Sequence, residues 1–176
     1  MRSNVFIKPK TDNEIKEAYT NYINSAAKNE KTRSTAINRL AELELKIINN
    51  TLKEKEEQSD NSVTNELNDT RYEASLDKAI KLLTTSLRDY QKAKENDRII
   101  YQLADIYTQK GDHLASITLL KKLVDEHPKS PLYAESMFRL AEHSFSLGDY
   151  ISAEDAYTEV LASPLNNIFY EKSLFK

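Results

Sequence analysis

Gly111 and Gly148 are the only glycines in the 176-residue chain, and they lie 37 residues apart. Each is followed by an aspartate, Asp112 and Asp149, and the residues before them also recur at this spacing. A period of about 20 to 50 residues is the signature of a solenoid or another repeat architecture. The sequence therefore predicts stacked repeats, which form extended binding surfaces.

The composition narrows the classes of protein and of partner. Hydrophobic residues make up 39% of the chain and charged residues 30%, which suits a thin, elongated core. The net charge is −3 with no block of Lys or Arg, so nucleic acid is not expected as a partner. Disulfides and thiolate sites are excluded because the chain has no cysteine. No segment has the roughly 20 apolar residues of a membrane span.

The residues around each glycine predict a helical hairpin. Apolar residues recur every three or four positions on both sides of Gly111, as expected for two amphipathic helices. They are Ile100, Leu103, Ala104, Tyr107, Leu114, Ile117, Leu120 and Leu123. Each Gly-Asp pair is predicted to end one helix and cap the next. Pro128, Pro131 and Pro164 are predicted to separate the hairpins, because proline is poorly tolerated inside a helix.

The expected fold is an all-α superhelix, a solenoid of antiparallel helical hairpins with about eight helices. Residues 1–10 are predicted to be disordered or extended, and residues 11–176 to form one helical-repeat domain. The first helix of that domain is capped by Thr11 or Asp12. Residues 49–73 are predicted to be an acidic loop inserted in a hairpin, because seven acidic and three basic residues leave few apolar ones. The final repeat is expected to be truncated at residue 176.

The two units resemble the tetratricopeptide repeat family. In the first unit the resemblance rests on Leu103, Ala104, Tyr107, Gly111, Ile117, Leu120 and Pro128. In the second unit it rests on Leu140, Ala141, Gly148, Tyr150, Ala153, Tyr157 and Pro164. The 37-residue period and the linker at residues 127–131 look like bacterial cell-envelope members of the family. That resemblance implies a protein-binding scaffold in or near the periplasm.

In this family the first helix of each hairpin lines a concave groove, which suggests a binding surface. The corresponding residues are Tyr101, Asp105, Thr108, Gln109, Phe138, Glu142 and Phe145. Exposed aromatic residues there would anchor an extended or helical peptide. The alternative is that some of these aromatics belong to the core between repeats. The Lys and Asn clamp that holds a C-terminal carboxylate in some members is absent, since Tyr101, Asp105 and Glu135 stand there.

No catalytic residue, cofactor or metal is predicted. The chain has no phosphate-binding glycine loop, and both glycines are already assigned to helix corners. The three histidines, His113, His127 and His143, have no ligand-like partner at helical spacing and are expected to be caps or surface residues.

The predicted function is a protein–protein interaction scaffold, part of a longer bacterial envelope-associated protein. The alternative is a regulatory or substrate-recruiting module of a larger enzyme. Self-association through an apolar terminal helix is a third hypothesis, motivated by Phe169, Tyr170, Leu174 and Phe175.

Overall fold

A computed structural model describes residues 11–26, 31–57, 62–162 and 169–175. These residues form eight helices and no strand, which confirms the predicted all-α class. The helices are α1 (Asp12–Ser25), α2 (Lys31–Glu57), α3 (Ser62–Asp89), α4 (Asn96–Gln109), α5 (His113–Glu126), α6 (Tyr133–Ser146), α7 (Tyr150–Ala162) and α8 (Tyr170–Leu174).

The chain divides into two compact units, Met1–Tyr90 and Gln91–Lys176. The first unit holds α1, α2 and α3, and the second holds α4 to α8. A single repeat domain over residues 11–176 therefore stays a prediction. The prediction that residues 1–10 are disordered or extended falls outside the described residues.

Helix α1 begins with a threonine N-cap, one of the two residues predicted to cap it. Thr11 caps α1, and its side chain accepts a hydrogen bond from the Glu14 backbone N–H at 3.3 Å. Glu14 in turn accepts a bond from the Thr11 N–H at 2.7 Å, which completes a capping box. Two backbone donors at the helix start are thus satisfied reciprocally. Of the two predicted caps, Thr11 is the one used.

The predicted acidic loop at residues 49–73 is wrong wherever the structure describes the chain. Helix α2 continues to Glu57 and α3 begins at Ser62, so the hairpin has two long helices instead of an inserted loop. The segment contains no glycine or proline, and Leu, Lys and Glu are favourable helix residues.

Helices α1, α2 and α3 meet at one buried carboxylate. Glu44 of α2 is 1% exposed. Its Oε1 lies 2.8 Å from Lys16 Nζ of α1 and 2.7 Å from Lys78 Nζ of α3. Two lysines from neighbouring helices thus compensate one carboxylate, as a buried charge requires.

The second unit follows the predicted 37-residue frame. The first helices α4, α6 and α8 begin at Asn96, Tyr133 and Tyr170, and the second helices α5 and α7 begin at His113 and Tyr150. Each helix packs against the next one along the chain. Residues 127–132, with Pro128 and Pro131, connect the two hairpins, whereas Pro164 lies outside the described residues.

Both helix corners have the same backbone geometry. Gly111 and Gly148 have φ of 75° and 79°, in the left-handed region. At the first corner the Gly111 N–H donates to Thr108 O at 3.0 Å and the Asp112 N–H to Tyr107 O at 2.9 Å. The second corner repeats both bonds. This pattern is a Schellman motif, so the predicted role of both glycines is confirmed.

The aspartate after each glycine caps the next helix, as predicted. Asp112 Oδ1 accepts a hydrogen bond from the Ala115 N–H at 3.0 Å. Asp149 Oδ1 accepts the equivalent bond from the Ser152 N–H at 3.2 Å. One Gly-Asp pair therefore ends a helix and starts another within two residues.

Substituting the corner glycines should destabilise the fold through backbone strain alone. A Cβ at Gly111 or Gly148 would meet no atom within 4 Å, so no steric clash contributes. Gly111→Ala and Gly148→Ala should each lower the free energy of unfolding by about 1 to 2 kcal/mol. The Asn variants should lose less, since Asn tolerates this conformation. Urea unfolding measures both, and equal losses for Ala and Asn would contradict the assignment.

Candidate protein-binding surface

Helices α4 and α6 are joined by side chains from the predicted groove and by residues that were not predicted. The Tyr101 hydroxyl donates to the Glu135 carboxylate. Arg139 Nη1 donates to Asp105 Oδ1 at 2.6 Å, and its guanidinium carbon lies 4.8 Å from the centroid of the Tyr101 ring. That distance is within the range of a cation–π contact. The α4 and α6 side chains thus form one polar and aromatic network.

The network holds Tyr101 in its neutral, proton-donating form. Burial and then the hydrogen bond to Glu135 raise the pKa of Tyr101 far above its ordinary value. For Arg139, burial lowers the pKa, but the hydrogen bond to Asp105 and the charges of Asp105 and Glu135 outweigh it and raise the pKa. Tyr101 and Arg139 therefore both keep their protons, and act as hydrogen-bond donors, at neutral pH.

A second cluster joins α4, α5 and α6 through hydroxyl and imidazole groups. His143 Nε2 lies 3.0 Å from Thr108 Oγ1 and 3.3 Å from Ser116 Oγ, and these two hydroxyls are 2.9 Å apart. The His113 ring is 5.1 Å from the His143 ring, centroid to centroid. Thr108 also donates to Ala104 O within α4. Thr108 therefore contributes to packing between the hairpins.

The environment of His143 makes stability depend on pH. Burial and then the charges of His113 and Arg139 lower its pKa below the ordinary 6.5, against a smaller opposing effect of Glu142. The unfolded chain therefore binds the proton more readily, and stability falls as the pH falls from about 7 to about 5. His143→Gln should reduce this loss, as measured by urea unfolding at several pH values. An unchanged pH profile would contradict the prediction.

Phe138 lies largely against other aromatic rings. Its ring stacks on Phe169 at 5.2 Å and meets Tyr157 edge-on at 5.9 Å. Phe138 and Tyr101 are partly buried and pack against the core of the second unit. The sequence left open the alternative that some of these aromatics belong to the core between repeats. The structure describes such packing for both Tyr101 and Phe138.

The remaining predicted groove residues differ in position and exposure. Gln109 is exposed at the end of α4 and donates to Asp105 Oδ2 at 3.0 Å. Glu142 accepts a hydrogen bond from the Tyr157 hydroxyl. Phe145 is exposed at the end of α6, where its ring meets Tyr150 edge-on at 5.3 Å. Phe145 therefore lies at the helix corner, beside the start of α7.

Glu135, Arg139 and His143 of α6 contact the predicted surface but were not among its predicted residues. Arg139 lies 34 residues after Asp105, and Glu135 lies 34 residues after Tyr101. This spacing is shorter than the 37-residue repeat by about one helical turn. A search for a hydrogen-bonding or oppositely charged partner 34 residues after each groove residue could have found Glu135 and Arg139. Side chains of α6 thus bind Tyr101, Asp105 and Thr108 of α4.

The described residues offer no group of three or more His, Cys, Asp or Glu side chains that could hold a metal ion. Within the same part of the chain, no helix combines the length and the apolar character needed to cross a membrane.

The geometry of the second unit agrees with a family comparison. Residues 97–164 match the tetratricopeptide repeat family. The match covers both corner glycines and helices α5, α6 and α7 in full. It supports a tetratricopeptide repeat assignment for this segment and, together with the eight helices, an all-α helical-repeat fold. Tetratricopeptide repeats generally mediate protein–protein interactions and are typically non-catalytic. A comparison with curated proteins finds no significant match.

Proposed function

We propose that this chain is a protein–protein interaction scaffold and that a partner polypeptide binds the face carried by α4 and α6. The observation that carries the proposal is the tetratricopeptide repeat match over residues 97–164. In the proposal the two first helices line a groove that takes an extended or helical segment. The scaffold acts by binding alone, without catalysis, metal or cofactor.

The network between α4 and α6 supports a preorganised surface. Tyr101 and Arg139 are held by neighbours on the adjacent first helix, so their order is established before a partner arrives. A surface whose side chains are already ordered loses less conformational entropy on binding. Gln109 is exposed at one end of this face, where a partner can reach its side chain.

The cellular setting is a finer part of the proposal. We place the scaffold in a longer, envelope-associated bacterial protein. This rests on the resemblance of the 37-residue period and the linker at residues 127–131 to cell-envelope members of the family. Fractionation of the source cells tests it: recovery with the periplasm or envelope supports the setting, and recovery with the cytosol contradicts it.

Photo-crosslinking tests the binding face. A photo-reactive amino acid is placed at Gln109 on α4 or, as the matched control, at Thr118 on α5, both being exposed polar positions of one hairpin. The proposal expects one protein to be captured preferentially from Gln109 in an extract of the source cells. That protein is then purified and titrated against Gln109→Lys and Thr118→Lys.

The proposal expects a dissociation constant that is roughly micromolar, about −8 kcal/mol. Gln109→Lys should weaken binding about tenfold, or about 1.4 kcal/mol, and Thr118→Lys should not. Equal capture at both positions, or equal affinities of both variants, would reject the α4 and α6 face as the binding surface.

A further inference from the structure

The corner between α6 and α7 exposes an unusual concentration of large apolar side chains. The exposed fractions are 47% for Phe145, 50% for Leu147, 63% for Tyr150 and 78% for Ile151. We call these four residues the corner patch. They fall within seven positions of the chain, and the rings of Phe145 and Tyr150 are in contact. Contiguous exposed apolar residues are uncommon on soluble domains and mark interaction sites.

The equivalent corner one repeat earlier lacks this concentration. Leu114 stands at the position of Ile151 and is also exposed, at 70%. His113 stands at the position of Tyr150, but its ring packs beside His143. The fold of a hairpin corner therefore does not require the corner patch, since the same backbone geometry forms without it.

The helix that continues from the corner patch carries negative charge only. Helix α7 contains Glu154, Asp155 and Glu159 and no Lys, Arg or His. Glu154 and Asp155 are exposed, and neither takes part in the ion pairs found among the described residues. Asp149, the cap of α7, adds a further exposed carboxylate. The apolar corner is thus bordered by exposed carboxylates, on a helix that carries no basic residue.

This charge selects among the occupants that an apolar patch could have. A second copy that docks through the same face would bring more carboxylates and no basic residue of α7 to the interface, which is unfavourable. An anionic membrane surface and a nucleic acid backbone would be repelled for the same reason. A polypeptide with apolar side chains and neighbouring Lys or Arg residues is complementary to both the apolar corner patch and the carboxylates of α7.

We propose that the corner patch and the acidic face of α7 form a second docking surface, which binds a basic amphipathic segment of a partner protein. Apolar side chains of that segment cover Tyr150 and Ile151, while its Lys or Arg residues pair with Glu154 and Asp155. The inference rests on the proposed scaffold function only in that its partner is a protein. The residues changed in the test below, Ile151, Glu154 and Asp155, lie on α7 and outside the α4 and α6 face, so the two proposals can fail separately.

A pair of peptides tests the surface on the full chain. The probes are a fluorescently labelled amphipathic peptide of Leu, Ala and Lys and its counterpart with Glu in place of Lys, and binding is read by fluorescence anisotropy. The Lys peptide should bind and the Glu peptide should not. Glu154→Lys combined with Asp155→Lys should weaken binding about tenfold, and Ile151→Ser alone should weaken it several-fold.

Matched controls separate a docking surface from general charge attraction. Asp125→Lys with Glu126→Lys makes the same charge change at exposed positions of α5, and Leu114→Ser makes the same loss of an exposed apolar side chain one repeat earlier. Both should leave the affinity of the Lys peptide within about twofold. No binding of the Lys peptide, or equal losses in test and control variants, would overturn the inference. Light scattering gives a further test. If the unmodified chain is a dimer and Ile151→Ser is a monomer, a second copy occupies the corner patch and the inference is overturned.

Discussion

Replacing Lys16 and Lys78 together by methionine is expected to lower the free energy of unfolding by about 3 kcal/mol or more. Both lysines pair with Glu44, which is 1% exposed between α1, α2 and α3. Methionine keeps much of the length of each side chain but leaves the Glu44 carboxylate buried without a counter-charge. The unpaired buried charge, more than the lost attraction, causes the destabilisation. Urea unfolding followed by circular dichroism measures it.

Two comparison variants make this result specific. Glu44→Met removes the buried charge itself, so it should change stability by less than about 1 kcal/mol. Lys46→Met breaks the exposed pair between Lys46 and Asp12, with an expected loss below about 1 kcal/mol. A Glu44→Met loss as large as that of the double lysine variant would contradict the account of Glu44.

Leu120→Ala is the second change with a large expected effect, a loss of about 2 to 5 kcal/mol. Leu120 of α5 is 1% exposed and belongs to the core cluster of the second unit, with Ala104 of α4 and Met137 of α6. Truncation would leave a cavity where α5 packs against both first helices. Thermal unfolding followed by circular dichroism, together with urea unfolding, measures the loss.

Leu114→Ala is the matched control for Leu120→Ala. It makes the same chemical change on the same helix, but Leu114 is 70% exposed. Its substitution should alter stability by no more than about 0.5 kcal/mol. Similar losses at the two positions would mean that Leu120 does not face the core while Leu114 faces solvent.

The parts of the fold that follow from local chemistry could be predicted from the sequence. The 37-residue frame was visible because glycine is needed where φ is positive, and Gly111 and Gly148 occupy those positions. Asp112 and Asp149 were recognisable as caps because their carboxylates meet the N–H three residues on. The family resemblance rests on the same residues and agrees with the match over residues 97–164.

The parts that depend on packing between helices were harder to predict. High charge suggested a loop at residues 49–73, although the absence of glycine and proline favours the helices that form. Glu44 interrupts an apolar stripe on α2, between Ala41 and Ile48, yet the lysines that compensate it come from two other helices. Phe138 is adjacent to Phe169 only because α8 packs on α7.

In the candidate site, too, local sequence features could be predicted and contacts between helices could not. Helical periodicity placed Tyr101 and Asp105 on one face of α4, but it gave no indication that Arg139 and Glu135 of α6 would bind them. Phe145 was assigned to the groove from its position on α6, whereas its partner Tyr150 belongs to α7. Sequence periodicity identifies a face, and the neighbouring repeat decides which of its residues are covered.

The most direct test of the central claim is a chemical-shift map of the full chain titrated with the partner captured at Gln109. Binding through the repeated first helices should perturb α4 and α6 at positions 37 residues apart, such as Gln109 and Ser146, both exposed at the ends of these helices. Thr118 and Lys122 on the exposed side of α5 should be unchanged. Perturbations confined to α5, or to α1, α2 and α3, would contradict the claim that the repeated first helices form the binding surface.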